Sequence, residues 1–332
     1  MTANWFRAGV SHVVGEAATG SLNKSGLAQK RESYVMTKTV GLIGLGPMGG
    51  NIARNLLGKQ FTVCGFDLKP DCMSALVNKG LSALDSVVEV SSAADVVITS
   101  LPSFQAVTSV VQDLCQNPKR GQVLIECSTL TIEQKITAHN QLKNAGMVLL
   151  DAPISATPSM LAEGMASIHV SGDEAAYEEN IQVFEGFTAS NFYVGEVGNG
   201  SRMKILANYL VHVHTCAAAE VMVLGQKAGL DPALIHDVLC QSAGASKMLE
   251  IRGAMMAKSD YREGGGTMFE VYEKDAEIIT QFGAEVKGPV DLYVSARQRF
   301  NMTMAQGLGH LDTSAICKAI EAAYDIDREL VG

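Results

Sequence analysis

The chain has 332 residues, of which 47% are hydrophobic and 18% are charged, and its formal net charge is -9. A chain of this size can bury a substantial core and is long enough for two domains. Its acidic balance, with no run rich in Lys and Arg, argues against nucleic acid and anionic membranes as partners, and no apolar stretch approaches the roughly 20 residues of a spanning helix. Small molecules are therefore the predicted partners.

Residues 1–35 differ in composition from the rest of the chain. They are rich in Ser, Gly and Ala, contain more basic than acidic residues, and precede Met36. We expect an N-terminal extension outside the fold, and two interpretations stay open: a mitochondrial transit peptide, or a disordered extension or misassigned start. The predicted compartment is the cytoplasm, with the mitochondrion as the alternative if this segment is a targeting sequence.

Residues 39–57 carry the strongest signal in the chain. An apolar run leads into three spaced glycines and continues as an amphipathic pattern, which predicts a strand, a tight turn and a helix. The first glycine permits the turn, the second lets a pyrophosphate approach the backbone, and the third lets the helix pack closely on the strand. An ordinary glycine-rich turn is the alternative when the motif stands alone. The predicted cofactor-binding residues here are Gly44, Leu45, Gly46, Pro47, Met48 and Gly49.

A second apolar segment, residues 61–67, ends in Asp67, 18 residues after Gly49. The dinucleotide-binding fold places at this point the carboxylate that accepts hydrogen bonds from the ribose hydroxyls. A 2′-phosphate beside Asp67 would meet like-charge repulsion, so the predicted cofactor is NAD. Lys69 lies close enough in sequence to leave NADP open as the alternative.

Further apolar segments alternate with helical patterns and predict short buried strands, at residues 95–102, 122–129, 147–153 and 167–172. Such alternation predicts an α/β domain, a Rossmann-type doubly wound parallel sheet covered on both faces. Ligands collect at the carboxyl ends of the strands in this architecture. The turns at Leu101 and Pro102, at Ser128 and Thr129 and at residues 152–157 should therefore line the cofactor cleft.

The pattern becomes almost wholly helical from about Gly198. A long helix is predicted over residues 201–228, followed by a stop at Gly229 and a restart at Asp231 and Pro232, and a later helix is predicted over residues 312–323. We therefore predict a nucleotide-binding domain over residues 36–197 and an all-α substrate and dimerisation domain over residues 198–332.

Two polar residues near the start of the long helix, Lys204 and Asn208, are four apart and share one face. That face should border the cleft between the domains. Oxidation of an alcohol by NAD needs a group that takes the hydroxyl proton, and a lysine whose pKa is lowered in a partly desolvated cleft can do this. On spacing alone, a solvated lysine is the more frequent outcome.

Residues 151–164 follow a predicted buried strand and are rich in turn formers. Ser155, together with successive backbone N–H groups, could cradle a carboxylate. Ordinary turn residues are the alternative here. The pattern contains no metal-ligand spacing, so no metal site is predicted.

Taken together, the chain resembles the β-hydroxyacid dehydrogenase family from about Thr39 to Glu321. The resemblance rests on motifs that occur in the same order: Gly44-Leu-Gly-Pro-Met-Gly49, Asp151-Ala-Pro-Ile-Ser155, Gly200-Ser-Arg-Met-Lys204-Ile-Leu-Ala-Asn208, Lys274-Asp275 and Gly307-Leu-Gly-His-Leu-Asp-Thr-Ser-Ala315. It implies reversible hydride transfer between NAD and a short 3-hydroxy acid, and a homodimer or homotetramer.

The resemblance also implies roles for single residues. Lys204 matches the catalytic lysine and Asn208 its polar partner, while Ser155 matches the serine that binds the substrate carboxylate. The implied cofactor contacts beyond the glycine turn are Leu101, Pro102, Thr129 and Lys274.

Departures from the family pattern bear on the substrate. Ala156 and Thr157 stand where the family usually has two glycines, so a narrower or differently tuned substrate site is expected, and Ala207 stands where an asparagine is common. Residues 246–252 are similar to a segment of the threonate-type branch. The implied substrate is therefore either similar to 3-hydroxyisobutyrate or a four-carbon sugar acid.

Two other functions remain as alternatives. Imine reductases that use NADPH share the two-domain layout by resemblance, but they generally lack a lysine at the position of Lys204. A cofactor-binding interaction module without catalysis is the second alternative, and the presence of Lys204, Asn208 and Ser155 argues against it.

Overall fold

A computed structural model describes residues 38–262 and 269–326 of the chain. The predicted extension at residues 1–35 lies outside the described residues. The first described part contains six strands, which are β1 (Thr39–Ile43), β2 (Thr62–Phe66), β3 (Ser82–Ala83), β4 (Val96–Thr99), β5 (Val123–Glu126) and β6 (Val148–Asp151). The helices that follow the first five strands are α1 (Pro47–Gly58), α2 (Pro70–Val77), α3 (Val87–Ala93), α4 (Phe104–Gln116) and α5 (Ile132–Asn144).

All six strands are parallel and lie in the order β3-β2-β1-β4-β5-β6. The chain builds one half of the sheet outward from β1, then returns beside β1 and builds the other half. Strand order therefore reverses between β1 and β4, and the crevice at the carboxyl ends of these two strands is where this architecture binds ligands.

Both faces of the sheet are covered, because neighbouring residues of β1 face different cores. Val40 and Leu42 pack in one cluster with Ile52 of α1, whereas Ile43 packs in another with Val107 of α4. This burial on both sides explains why the strands are continuous apolar runs. The predicted doubly wound parallel sheet is confirmed.

The strand predicted at residues 167–172 exists, but it lies outside the six-stranded sheet. It is β8 (Ser167–Val170), which pairs antiparallel with β7 (Ile154–Ser155) and parallel with β9 (Ser190–Tyr193). Only the short helix α6 (Pro158–Ala162) separates β7 from β8, so the chain turns back instead of crossing the sheet. A bridge between Asp151 and Ser171 joins the two sheets.

Helices α7 (Glu174–Glu179) and α8 (Ile181–Phe187) precede β9, and the chain then becomes helical. The elements of this second part are α9 (Asn199–Lys227), α10 (Pro232–Leu239), a π-helical turn (Leu249–Gly253), α11 (Ala254–Lys258), α12 (Phe269–Val286), α13 (Asp291–Ala305), a 3-10 turn (Thr313–Ala315) and α14 (Ile316–Ala323). The predicted all-α part is thus confirmed. The helix predicted over residues 312–323 begins as the 3-10 turn, because the Asp312 side chain caps Ser314 N at 2.8 Å.

Helix α9 links the two parts of the molecule. It packs against β6, β7 and β8 near its start and against α12, α13 and α14 along its length. The helix has 29 residues, and Lys204 lies near its start, the end that packs against the strands. None of the helices within residues 38–262 and 269–326 has both the length and the apolar character needed to cross a bilayer.

Candidate active site

In the turn after β1, the absence of a side chain has a different structural consequence at each of the three glycines. Gly44 has a φ of +88°, and a Cβ there would lie 2.4 Å from the carbonyl oxygen of Ser100. A Cβ at Gly49 would lie 1.9 Å from the carbonyl oxygen of Gly44. A Cβ at Gly46 would meet nothing within 4 Å. The first and third glycines are therefore needed for packing, whereas the second leaves open space beside the backbone.

The start of α1 is suited to an anion. Gly46 occupies its N-cap and provides no side-chain cap, and Pro47 takes the first helical position. The first backbone N–H groups of α1 are thus not taken up by a capping side chain, and the positive end of the helix dipole points to the open space at Gly46. This arrangement fits a pyrophosphate.

Asp67 lies at the end of β2, beside this turn. Its Oδ2 accepts a hydrogen bond from Leu45 N at 2.6 Å, and its Oδ1 accepts one from Lys69 N at 2.8 Å. Each carboxylate oxygen can accept a further hydrogen bond, so the side chain keeps capacity for ribose hydroxyls. The residues present therefore fit a nicotinamide dinucleotide along the edge from Asp67 to Gly46.

The predicted contacts after β4 and β5 lie at the same edge of the sheet. Ser100, which precedes Leu101, packs against Gly44. Leu101 N donates to Ser128 Oγ at 2.9 Å, which ties the turn after β4 to the turn after β5. Lys274 of α12 reaches the second turn, because its Nζ donates to the carbonyl oxygen of Thr129 at 3.3 Å. We call this edge of the sheet, with the glycine turn, Asp67, Leu101 and Thr129, the cofactor edge. The cofactor edge and the helical part thus meet at Thr129.

Lys204 is buried on α9, with 8% of the residue exposed. Burial is the main cause that lowers its pKa; the charge of Asp275 opposes this effect and the charge of Lys274 adds to it. A lysine in such surroundings can lose and regain a proton closer to neutral pH than a solvated one. The solvated interpretation of Lys204 is therefore wrong.

Asn208 and Asp275 lie beside Lys204. Asn208 Nδ2 donates to Asp275 Oδ2 at 2.8 Å, while Asp275 Oδ1 is buried without a hydrogen-bond partner among the described residues. Burial raises the pKa of Asp275, and the charges of Lys204 and Lys274 act against that rise. A small cavity is lined by Thr129, Lys204, Ile205, Asn208, Asp275, Ile278 and Ile279.

Asp275 is a candidate site residue that was missing from the site predicted from sequence. The available signal was its place directly after Lys274 in the Lys274-Asp275 motif. Asp275 does not stand out by type or spacing, because its importance comes from Asn208, a partner 67 residues away in the chain.

The predicted substrate segment at Ser155, Ala156 and Thr157 does not line this cavity. Ser155 ends β7, Ala156 packs on the core of the sheet, and Thr157 caps α6 by accepting from Met160 N at 3.3 Å. Helix α1 holds this segment through two side-chain hydrogen bonds. Asn51 Nδ2 donates to Pro158 O at 2.8 Å, and Asn55 Nδ2 donates to Leu161 O at 2.7 Å. The segment is thereby fixed to α1, whereas Lys204 is fixed to α9.

Two protein-family models match the chain. The NAD binding domain of 6-phosphogluconate dehydrogenase matches residues 39–195, and the model described as NAD-binding of NADP-dependent 3-hydroxyisobutyrate dehydrogenase matches residues 198–320.

Curated relatives match over nearly their whole length. An L-threonate dehydrogenase of Cupriavidus necator is 31% identical, with 85% of this chain and 96% of the relative covered. A 3-hydroxyisobutyrate dehydrogenase of Pseudomonas aeruginosa is 31% identical, with 84% and 97% covered. Among solved structures, the 3-hydroxyisobutyrate dehydrogenase of Mycobacterium tuberculosis with L-serine has a TM-score of 0.77 at 26% identity and covers 86% of this chain and 99% of its own.

The glycine turn, the doubly wound sheet and these matches define an oxidoreductase that binds NAD(P) and acts on CH–OH groups. The long helix that enters the helical part with a buried lysine fits the same class. The chain belongs to the β-hydroxyacid dehydrogenase family. A Pseudomonas imine reductase with a TM-score of 0.56 at 21% identity shares the fold alone.

Proposed function

We propose that this protein catalyses the reversible, NAD-dependent oxidation of a short 3-hydroxy acid to its semialdehyde or oxo acid, with Lys204 as the general base. The observation that carries the proposal is the burial of Lys204 in a cavity shared with Asn208, Asp275 and Thr129. The cavity adjoins the cofactor edge, because Thr129 accepts from Lys274 there.

In the oxidation, neutral Lys204 Nζ accepts the proton of the substrate hydroxyl. A bound nicotinamide would supply the acceptor for the hydride that leaves the carbon carrying this hydroxyl. The nearby Asp275 carboxylate stabilises the ammonium that Lys204 becomes, and Asn208 holds this carboxylate in place. In the reduction, the Lys204 ammonium returns its proton to the alkoxide oxygen.

We assign the substrate carboxylate to Ser155 and the adjoining residues Ala156 and Thr157. The support is the fixed position of this segment on α1, which limits its movement relative to the cofactor turn. Relatives are named for L-threonate, L-serine, 2-(hydroxymethyl)glutarate and 3-hydroxyisobutyrate, which all carry a carboxylate and a hydroxyl. The proposed substrate is similar to 3-hydroxyisobutyrate or is a four-carbon sugar acid such as L-threonate.

We further propose that NAD is preferred to NADP. Asp67 lies beside the cofactor turn as a carboxylate bound to Leu45 N and Lys69 N, so a 2′-phosphate there would meet its negative charge. Lys69 is the nearby group that keeps NADP as the alternative.

Self-association is proposed through the helical part. Helix α9 exposes large apolar side chains, including Leu206, Leu210 and Leu224, which are at least half exposed in the single chain. Exposed apolar area of this kind favours a partner surface. We propose a homodimer or homotetramer in the cytoplasm; a mitochondrial location is the alternative, and a mouse relative is named mitochondrial. Light scattering on the purified chain measures the oligomeric state.

A substrate and cofactor screen tests the proposed activity. Purified protein is assayed with NAD and with NADP against 3-hydroxyisobutyrate, glycerate, L-threonate, L-serine and β-hydroxy aromatic acids. Reduction of NAD by one of these acids supports the proposal. NADH binding without turnover of any acid favours an interaction module, and consumption of NADPH with amines alone favours an imine reductase.

A further inference from the structure

Three charged side chains are enclosed together behind the cofactor edge. Glu126 ends β5 and Asp151 ends β6, and the two residues are register partners on neighbouring strands. Lys135 of α5 contacts Glu126 Oε2 and lies 3.0 Å from Asp151 Oδ1. All three are 0% exposed. We call this set the buried charge cluster.

Lys135 keeps both carboxylates compatible with burial. Burial alone would lower the pKa of Lys135, but Glu126 and Asp151 outweigh this effect and raise the pKa, so the lysine stays charged. Its Nζ also donates to the carbonyl oxygen of Glu126 at 3.0 Å. Without this cation, two adjacent buried carboxylates would repel each other.

The cluster sets two carboxyl groups against one lysine, and the start of α9 provides further hydrogen bonds to Asp151. Asp151 Oδ2 accepts from Ser201 N at 2.8 Å, and Asp151 Oδ1 accepts from Ser201 Oγ at 2.9 Å. The N-cap residue of α9, Gly198, provides no side-chain cap. Asp151 thus caps α9 from a neighbouring strand, where the positive end of the helix dipole favours an anion.

The first turn of α9 is also held by its backbone. Gly200 N donates to Ser171 Oγ at 2.9 Å. A Cβ at Gly200 would lie 2.5 Å from Asp151 O and 2.6 Å from His169 O, so the helix approaches both sheets closely. Lys204 follows Ser201 by three residues, about one turn of the same helix. The anchor therefore sets the rise and rotation of α9 at Lys204.

We infer that the buried charge cluster of Glu126, Lys135 and Asp151 is a positioning device that places Lys204 for proton transfer by fixing the start of α9. The inference rests on the proposed function of Lys204. Lys135 is a positioning residue: it is not among the residues that line the cavity, and it acts on α9 through Asp151 and Ser201. Glu126 also accepts from Ser128 N at 2.9 Å in the turn after β5, so the effect that passes through Asp151 alone is isolated at Ser201 and should appear in the chemical step.

Two substitutions test the inference. Lys135→Met removes the cation while keeping length, and Ser201→Ala removes only the Oγ bond to Asp151. Because a misplacement of about 1 Å can cost on the order of 100-fold in rate, we expect kcat on L-threonate, or on the acid from the panel that is oxidised fastest, to fall roughly 10- to 100-fold. NADH affinity, measured by fluorescence titration, should stay unchanged in Ser201→Ala, whose side chain bonds Asp151 and not Glu126. Lys143→Met, an exposed lysine on the same helix, is the matched control.

Hydrogen exchange of the amides at residues 200–205 is the readout that does not depend on turnover. We expect faster exchange there in Lys135→Met and Ser201→Ala than in Lys143→Met, with unchanged exchange in β1 and β4. Ser201→Thr keeps the hydroxyl, so its amide exchange rates and its kcat should return to the values of the unmodified protein. If Lys135→Met does not fold, the comparison of Ser201→Ala with Ser201→Thr tests the inference. Unchanged exchange, or a loss of kcat that Ser201→Thr fails to restore, would overturn the inference. Absence of turnover in the unmodified protein together with the expected exchange pattern would instead count against the proposed function.

Discussion

Asn208 of α9 and Asp275 of α12 are joined by a hydrogen bond of 2.8 Å, although they are 67 residues apart in the chain. Both residues line the cavity next to Lys204, and their bond ties the helix that carries the proposed base to the helix that carries Lys274. Because Lys274 also reaches Thr129 at the end of β5, the same helix α12 contacts both the proposed base and the cofactor edge.

Lys204→Ala should remove proton transfer and leave cofactor binding intact. General acid–base catalysis contributes typically 10²–10⁴-fold, so we expect kcat for hydroxy-acid oxidation to fall by roughly that factor. NADH affinity, followed by fluorescence titration, should be retained. Lys227→Ala, at an exposed position near the other end of α9, is the control and should keep full turnover. Near-normal turnover of Lys204→Ala would contradict the proposed role.

Asp275→Asn should shift the pH dependence of oxidation toward lower pH. Burial lowers the pKa of Lys204, and the charge of Asp275 opposes that effect by stabilising the ammonium. Removal of this charge therefore lowers the pKa of Lys204 further, and the neutral base becomes available at lower pH. The measurement is the acid limb of kcat/KM against pH. Glu277→Gln, exposed on the same helix, should leave that limb in place, whereas a shift to higher pH in Asp275→Asn would refute the assignment.

Asp67→Asn should weaken the preference for NAD. The substitution keeps the side-chain shape but removes the charge that repels a 2′-phosphate, so kcat/KM with NADP should rise relative to NAD by about 10-fold, equivalent to about 1.4 kcal/mol. Asp71→Asn, exposed in the first turn of α2, is the control. An unchanged ratio of the two kcat/KM values would show that Asp67 does not select the cofactor.

Alanine at two glycines of the turn should separate folding from cofactor binding. Gly46→Ala meets open space, so the melting temperature should be unchanged while NADH affinity falls, because the added methyl lies where the cofactor approaches. Gly49→Ala places Cβ against Gly44 O and should cost about 1–3 kcal/mol of folding free energy as well. Thermal melts and NADH titrations of both variants give the comparison. Unimpaired NADH binding by Gly46→Ala would count against a pyrophosphate at this turn.

Much of the fold could be predicted because its signals are local. The apolar runs that became β4, β5 and β6 are bounded by turn residues, and α9 and α10 are separated by Gly229 and the Asp231 cap. The glycine spacing of the turn reflects contacts among neighbouring elements that follow each other in the chain. These features depend on residues close in sequence, so the sequence pattern was sufficient to predict them.

The pairing of β8 was not predicted because pairing is decided at long range. Its apolar alternation indicates a strand equally well in either sheet. The two hydrogen bonds between Asp151 and Ser171, with N···O distances of 2.9 Å and 2.8 Å, place its end beside β6. The tendency of a segment to form a strand does not determine which neighbouring strand it pairs with.

The sequence by itself determined the glycine turn, the alternation of strands and helices and the candidate residues Lys204, Asn208 and Ser155. Only the tertiary structure decided that Lys204 is buried, that Asp275 is its charged neighbour and that Lys135 lies between two enclosed carboxylates. The reason is physical: burial and charge pairing depend on which distant segments meet in space, and the bond from Ser201 to Asp151 spans 50 residues of chain.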